Sequence, residues 1–203
     1  RGLREGIRFV ESRAVTSAED AVRRAERLGY PVVLKGIAPE IAHKSELGLV
    51  KLNLRDARAV TEAFDGLSAA SRALPHAVSI EIEAMIPPGV ELLVAARRDP
   101  TFGPVVIAGI GGTLVELVAD SSLRLGVVSE AEALDMLSET RAGVLLDGFW
   151  QKQRYDRNAA AAAVATVSRL MAGAGPDVTS VEINPVIVLP EGQGAIAVDL
   201  LIE

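Results

Sequence analysis

The pattern of hydrophobic and polar residues divides the chain into helix-like and strand-like segments. In the first clear segment, apolar residues recur at helical spacing at Ala21, Val22, Ala25 and Leu28. The segment opens at Thr16-Ser17 with a hydroxyl residue as N-cap, and Gly29 follows the run, as is typical of the two ends of a helix. The pattern therefore predicts a helix that begins at these hydroxyl residues and ends at Gly29.

Three strands and a second helix are predicted in the rest of the first half. The predicted strands cover residues 31–35, 48–54 and 78–85. Residues 55–73 have the spacing of a helix. In the third strand, Glu81 and Glu83 should share one face because side chains alternate along a strand.

The Pro-Pro-Gly run at 87–89 predicts a boundary between an N-terminal lobe, residues 1–86, and a C-terminal lobe, residues 87–203. In the second lobe, strands are predicted at 91–97, 104–110, 180–189 and 195–200, and helices at 129–141 and 155–172. Long runs of successive strands favour an α+β fold with mixed sheets over a doubly wound parallel sheet.

Composition and charge narrow the classes of function. With 203 residues, 49% of them hydrophobic, the chain can bury a sizeable core. A net charge of -6 argues against binding to nucleic acid or to an anionic membrane surface. Because the chain has no cysteine, any metal must be held by oxygen or histidine ligands, which favours Mg²⁺ over zinc.

No segment indicates secretion or membrane insertion. The apolar run Ala159–Ala165 is short and rich in alanine, so it predicts a buried helix rather than a membrane span. The chain shows no signal peptide and begins at Arg1, which indicates a processed or trimmed chain. We expect a cytoplasmic protein.

Two groups in the first lobe are candidates for phosphate chemistry. Lys35 ends a buried apolar strand, where its charge could neutralise phosphate oxygens. His43 lies in a polar loop with Lys44 and Glu46, and imidazole can act as a base or as a nucleophile toward phosphorus. The alternatives are a lysine that reaches water and a solvated loop whose histidine has no role.

The second lobe offers a glycine turn and a set of oxygen ligands. Gly111 and Gly112 follow a buried strand, where backbone N–H groups could approach an anion, although glycines also serve tight turns. Glu182 and Asn184 should share one face of a strand, and Asp199 can fall beside them on the next strand. Such oxygen ligands suit Mg²⁺ that bridges nucleotide phosphates, the alternative being an Asn-Pro turn with a surface Asp.

Six segments resemble, in order along nearly the whole chain, the ATP-grasp domain of NDP-forming acyl-CoA synthetases, relatives of the succinyl-CoA synthetase β subunit. They are GYPVVLKG, HKSELG, PPGVELLV, DPTFGPVVIAGIGGTLVEL, VEINPVIV and AVDLLI. The resemblance implies an ATP-grasp fold of two lobes with the nucleotide, ATP or ADP, bound between them.

The resemblance also implies roles for single residues in the first lobe and at its end. Lys35 would contact the ATP phosphates, and the strand with Glu83, Ala84 and Met85 would form the hinge beside the adenine. His43 matches a histidine that looks like a second phosphoryl carrier.

In the second lobe, the same resemblance implies that Glu91 lies near the ribose. Asn184 and Asp199 match the Mg²⁺ ligands of the family, with Glu182 as a neighbour. The Gly111-Gly112 turn matches the turn that receives a phosphohistidine segment from a partner domain.

The implied reaction is acyl-CoA + ADP + phosphate ⇌ carboxylate + CoA + ATP, by way of a phosphohistidine. It requires CoA-binding and succinyl-CoA-ligase-like domains, on a separate α subunit or on the same polypeptide, which this sequence does not resemble. Two alternatives stay open: a regulatory or degenerate ATP-grasp module fused to a protein acetyltransferase, and a carboxylate–amine ligase, which would need no histidine relay. Nucleotide titration and a phosphoryl-exchange assay would separate them.

Overall fold

The computed structural model describes residues 6–38, 48–75, 77–149 and 153–203. His43 and the rest of its loop lie outside the described residues. The strands, in chain order, are β1 (Arg8–Phe9), β2 (Ser12–Val15), β3 (Val32–Ile37), β4 (Val50–Leu54), β5 (Ser79–Ala84), β6 (Val90–Asp99), β7 (Gly103–Ile110), β8 (Ser121–Leu125), β9 (Ser180–Val188), β10 (Ala195–Ala197) and β11 (Leu200–Ile202).

The helices, in chain order, are α1 (Ala18–Leu28), α2 (Ala57–Arg72), α3 (Val115–Val118), α4 (Glu130–Ser138), α5 (Arg141–Leu146) and α6 (Arg157–Gly173), and a 3₁₀ turn (Gly112–Leu114) precedes α3. The chain forms two compact units, one of Val10–Ile86 and one of Pro87–Glu203 together with residues 6–9. Residues 6–9 fall in the second unit because β1 pairs in parallel with β10, whereas the division from the sequence placed them in the first lobe.

The unit Val10–Ile86 is a four-stranded antiparallel sheet in the order β2-β5-β3-β4. Helices α1 and α2 cover one face, where Val32, Leu34, Ile80 and Ile82 form the core with apolar helix residues. The alternate residues of β3 and β5 stand on the other face. That second face carries the charged side chains of this unit's candidate site.

The second unit contains a seven-stranded mixed sheet in the order β1-β10-β9-β6-β7-β8, with β11 also paired to β9. Helices α4 and α6 pack on one face of it, and α6 buries most of its alanine-rich surface there. The predicted buried helix at this position is therefore confirmed. No helix in the described part of the chain is long and apolar enough to cross a membrane.

The α+β prediction with mixed sheets is confirmed, and most predicted elements are present. The single strand predicted at 195–200 is wrong, because the chain leaves the sheet between β10 and β11 and pairs again with another part of β9. The short elements β1, β2, β8 and α5 were not predicted. Each of them spans six residues or fewer, too short a stretch to show a period.

Candidate functional site

Lys35 forms an ion pair with Glu83 on the face of the first sheet that the helices do not cover. Lys35 Nζ lies 2.9 Å from Glu83 Oε2. The two residues are 3% and 5% exposed. In the ladder Lys35 stands opposite Glu81 and Val33 stands opposite Glu83, so the pair is a diagonal contact between β3 and β5. The alternative in which Lys35 reaches water is wrong.

A second carboxylate completes this polar group. Glu81 is half-buried beside the ion pair and accepts a hydrogen bond from the hydroxyl of Ser12 on β2. One ammonium and two carboxylates thus share one sheet face, as the alternation of β5 predicted for the two glutamates. The pairing with Glu83 compensates the Lys35 ammonium for its removal from water, so a cation is held in place on this sheet face.

The end of β5 is anchored by its backbone. The N–H of Met85 donates to the carbonyl oxygen of Pro31 at 3.1 Å, and Ala84 stands opposite Val32 in the ladder. Both residues are half-buried. The segment expected to form the adenine-side hinge is thus a strand end whose Met85 amide is engaged inside its own unit.

In the second unit, Gly111 is packed against the neighbouring strand. Its N–H donates to the carbonyl oxygen of Glu91 at 2.8 Å. A Cβ placed on Gly111 would overlap the backbone carbonyl carbon of Leu92, so no side chain fits at this position. The backbone of the turn therefore lies directly on β6.

Gly112 needs to be glycine for different reasons. Its φ is +67°, in the region that residues with a Cβ rarely adopt, and a Cβ there would overlap the carboxylate of Glu91. The N–H of Gly112 donates to Asn184 Oδ1 at 2.7 Å. The turn is thus held between Glu91 and Asn184.

Asn184 lies at a β-bulge in β9. Leu92 pairs with Val186 while Val94 pairs with Ile183, so β9 carries one extra residue at this point. The bulge lets both Ile183 and Val186 point into the core while Asn184 stands on the other face.

The predicted metal ligands are neighbours in this region. The backbone N–H of Asn184 donates to the carbonyl oxygen of Asp199 at 3.2 Å, and Glu182 lies two residues earlier on the same face of β9. The described residues include no cluster of three or more His, Cys, Asp or Glu side chains that could hold a metal. Two or three oxygen ligands fit Mg²⁺, which usually takes one or two carboxylates and completes its shell with water and substrate phosphates.

A cavity of about 400 Å³ opens beside the glycine turn. Its lining is Gly89, Val90, Glu91, Ile110, Gly111, Thr113, Leu145, Gly148, Phe149 and Tyr155. Thr113 and Tyr155 were not among the predicted site residues, because one hydroxyl beside a glycine pair and one tyrosine far along the chain carry no spacing signal.

The Asp-Pro-Thr-Phe-Gly segment, residues 99–103, forms the turn between β6 and β7. The Asp99 carboxylate accepts hydrogen bonds from the backbone N–H groups of Thr101 and Phe102, at 2.8 and 3.0 Å. The N–H of Phe102 and then that of Thr101 lower the pKa of Asp99 below its usual value because they stabilise the charged form. Asp99 therefore stabilises the turn of the β6–β7 hairpin.

We expect Gly111→Ala to destabilise the protein by about 2 to 3 kcal/mol, since the added methyl group would have to displace the backbone of β6. The matched control is Gly66→Ala in α2, where a Cβ has open space and the change should stabilise by about 0.5 to 1 kcal/mol. Urea unfolding measures both. Equal effects of the two substitutions would contradict the tight packing of Gly111.

Known proteins similar to this chain share both sequence and fold with it. Residues 4–203 match the ATP-grasp domain family. The chain is 34% identical over 197 residues to acetate–CoA ligase [ADP-forming] I subunit beta of Pyrococcus furiosus, covering 96% of this chain and 84% of that subunit. It is 35% identical over 199 residues to a trans-feruloyl-CoA synthase from an unknown prokaryotic organism, covering 97% of this chain but 28% of that protein.

A solved structure of acetyl-coenzyme A synthetase 1 from Ca. Korarchaeum cryptofilum, in complex with coenzyme A and Ca-AMPCP, superposes with a TM-score of 0.89. It is 35% identical in sequence, and the alignment covers 99% of this chain and 88% of that one. A second structure of the same enzyme holds Mg-AMPPCP, with its phosphohistidine segment pointing towards the nucleotide-binding site, and gives a TM-score of 0.81 over 99% and 87% of the two chains at 35% identity. The chain therefore belongs to the ATP-grasp domain family, with relatives among the ADP-forming acyl-CoA synthetases.

Proposed function

We propose that this chain is the nucleotide-binding and phosphoryl-transfer part of an ADP-forming acyl-CoA synthetase, in which acyl-CoA + ADP + phosphate ⇌ carboxylate + CoA + ATP. The observation that carries the proposal is the hydrogen-bonded set of Asp199, Asn184 and Gly112, which joins two oxygen ligands to a glycine turn. The Pyrococcus furiosus beta subunit, of similar length, supports the assignment.

The first unit supplies a positive charge. Lys35 neutralises charge on the transferred phosphoryl group, and Glu83 holds the ammonium at a fixed place on β3. A rigid, buried cation stabilises a developing negative charge better than a solvated one, because little reorganisation is needed when the charge appears. Ala84 at the end of β5, and Met85 directly after it, would lie beside the base.

The second unit supplies the ligands for a divalent cation. Asn184 and Asp199 would hold it, with Glu182 as a neighbour, and Glu91 would lie near the ribose. Bound Mg²⁺ would neutralise the phosphates and orient them for in-line transfer. The glycine turn of Gly111 and Gly112 receives the phosphohistidine segment of a partner domain.

The complete reaction needs more protein than this chain contains, because the chain spans 28% of the trans-feruloyl-CoA synthase and 29% of acetate–CoA ligase [ADP-forming] I of Archaeoglobus fulgidus. CoA-binding and succinyl-CoA-ligase-like domains, on an α subunit or on the same polypeptide, would hold the acyl group and the first phosphohistidine. The assembled enzyme would work in the cytoplasm, where ADP and CoA are available.

We expect His43 to carry a phosphoryl group during this reaction. The test is incubation of the chain and its partner domains with γ-³²P-labelled ATP and Mg²⁺, followed by separation under alkaline conditions, which preserve phosphohistidine. The label on this chain should disappear in His43→Asn, because asparagine cannot form the phosphoramidate bond.

The matched control is His76→Asn, which removes the other histidine of the chain and should leave the label unchanged. A label that survives in His43→Asn would place the carrier elsewhere. Full turnover with no label on the chain would contradict the relay, and the absence of turnover with every partner domain present would contradict the proposed function.

A further inference from the structure

Both amide N–H groups of the glycine turn are engaged within the second unit. The Gly111 N–H donates to Glu91, and the Gly112 N–H donates to the side-chain oxygen of Asn184. A carboxamide nitrogen does not accept such a bond, so the contact fixes Asn184 with its oxygen toward the turn. An anion that is to be bound by the Gly112 N–H must therefore compete with Asn184.

The same oxygen is the one that a metal would need. A carboxamide offers a cation its oxygen and not its nitrogen, so a cation held by Asn184 and Asp199 must approach Asn184 Oδ1. A hydrogen-bonded N–H carries partial positive charge on its hydrogen, and a divalent cation at the same oxygen repels it. The structure shows the Gly112 N–H at Asn184 Oδ1, and a cation at the same oxygen would oppose that hydrogen bond.

We infer that Asn184 couples cation binding to the glycine turn by exchanging these two partners. Without a cation, its Oδ1 accepts the Gly112 N–H; with a cation, Oδ1 ligates the ion and the Gly112 N–H is released to an oxygen of the accompanying phosphate. The inference deepens the proposed function and rests on it. Its ligand class is a divalent cation complexed with a nucleoside polyphosphate.

Glu91 makes the exchange dependent on the cation. Its carboxylate lies against Gly112, where a Cβ would overlap it. A phosphate that arrives without a cation meets this negative charge and finds the Gly112 N–H occupied. A phosphate that arrives with the cation meets neither obstacle in full, because the cation offsets the carboxylate and frees the amide.

The exchange makes the two binding events cooperative. If the cation frees a donor for the phosphate, then by linkage the phosphate also raises the affinity for the cation. Asn184 is then a positioning residue for Gly112 as well as a ligand. A purely structural asparagine would hold the turn in the same way with and without the cation.

Hydrogen exchange of single amides tests the first half of the inference in ¹⁵N-labelled protein without ligand. Exchange of the Gly112 N–H should be about tenfold faster in Asn184→Ala than in the parent, since the substitution removes its acceptor. The matched control is the Gly126 N–H, which donates to the carbonyl oxygen of Pro104 at the same 2.7 Å and should not change. Equal Gly112 rates in parent and variant would overturn the inference.

The second half of the inference, release of the Gly112 N–H when the cation binds, is tested on the unsubstituted chain. The test therefore does not depend on how a variant folds. We expect Mg²⁺ with ADP to shift the Gly112 amide and the Asn184 side-chain amide resonances together, and ADP with EDTA to shift neither. A full Gly112 response to ADP with EDTA would overturn the coupling. Calorimetric binding of Mg-ADP with no Gly112 response would overturn it while leaving the proposed function standing, and the absence of Mg-ADP binding would overturn both.

Discussion

Lys35→Ala should slow phosphoryl transfer in the assembled enzyme by about a hundredfold or more, the usual effect of removing one fixed charge-stabilising group from such a site. The ammonium is held at 2.9 Å from Glu83 on a rigid strand, so its charge is in place before the phosphoryl group moves. Because Ala has no charge, the negative charge that develops on the phosphoryl oxygens would lose this stabilisation. Single-turnover transfer from ATP measures the effect.

The substitution will also lower stability, because it removes one partner of a buried ion pair. Such a change costs about 3 to 5 kcal/mol, so the assay must be run well below the unfolding transition of the variant. The double variant Lys35→Met, Glu83→Gln removes both charges and should recover much of the stability without recovering the rate. This separates the electrostatic role of Lys35 from its structural one.

Lys51→Ala is the matched control for charge. Lys51 stands on β4 opposite Leu34, on the face of the sheet turned toward the helices, and should have little effect on transfer. Unchanged nucleotide affinity together with unchanged transfer in Lys35→Ala would show that Lys35 takes no part in the chemistry.

Asp199→Ala should weaken the Mg²⁺-dependent part of nucleotide binding by about ten- to a hundredfold, at least the effect that loss of a supporting group has on a metal site. The backbone carbonyl oxygen of Asp199 accepts a hydrogen bond of 3.2 Å from the N–H of Asn184. The Asp199 carboxylate is the charged member of the predicted ligand pair. Its removal leaves a neutral amide, which holds a hard dication poorly. Calorimetric titration of ADP at several Mg²⁺ concentrations gives the affinity for ADP alone and the affinity for Mg-ADP separately.

The control for Asp199 is Asp177→Ala, which removes the same charge from an exposed position before β9 and should leave the titration unchanged. If Asp199→Ala binds Mg-ADP as tightly as the parent and supports full turnover, the metal assignment fails. A loss of affinity that is the same with and without Mg²⁺ would also contradict it, because a ligand to the ion acts only when the ion is present.

Local signals in the sequence determined the helices and strands whose ends are marked by capping residues or glycine. Ser17 accepts the N–H of Asp20 at 3.1 Å, and Gly29 ends the helix at φ +84°, so α1 begins and ends where the pattern predicted. The alternation in β5 likewise placed Glu81 and Glu83 on one face, because the period of a strand is a property of the local backbone.

The tertiary structure decided which of these residues meet. Lys35 and Glu83 are 48 positions apart, and their contact depends on which strand lies beside β3. The hydrogen bond that the Gly112 N–H donates to Asn184 Oδ1 lies at a bulge that the apolar pattern does not reveal, because the continuous apolar run Val186–Val188 hides the change of phase after Ile183. The pairing of β1 with β10 likewise joined residues 6–9 to the second unit.

The sequence by itself therefore determined the residue types, the faces on which they stand and the family that they resemble. The tertiary structure decided that Lys35 is buried with a carboxylate and that the amides of the glycine turn are already in use. The physical reason is that hydrophobic periodicity reports how each segment faces its core, whereas contacts between distant segments follow from strand order and register, which the packing of the whole unit sets.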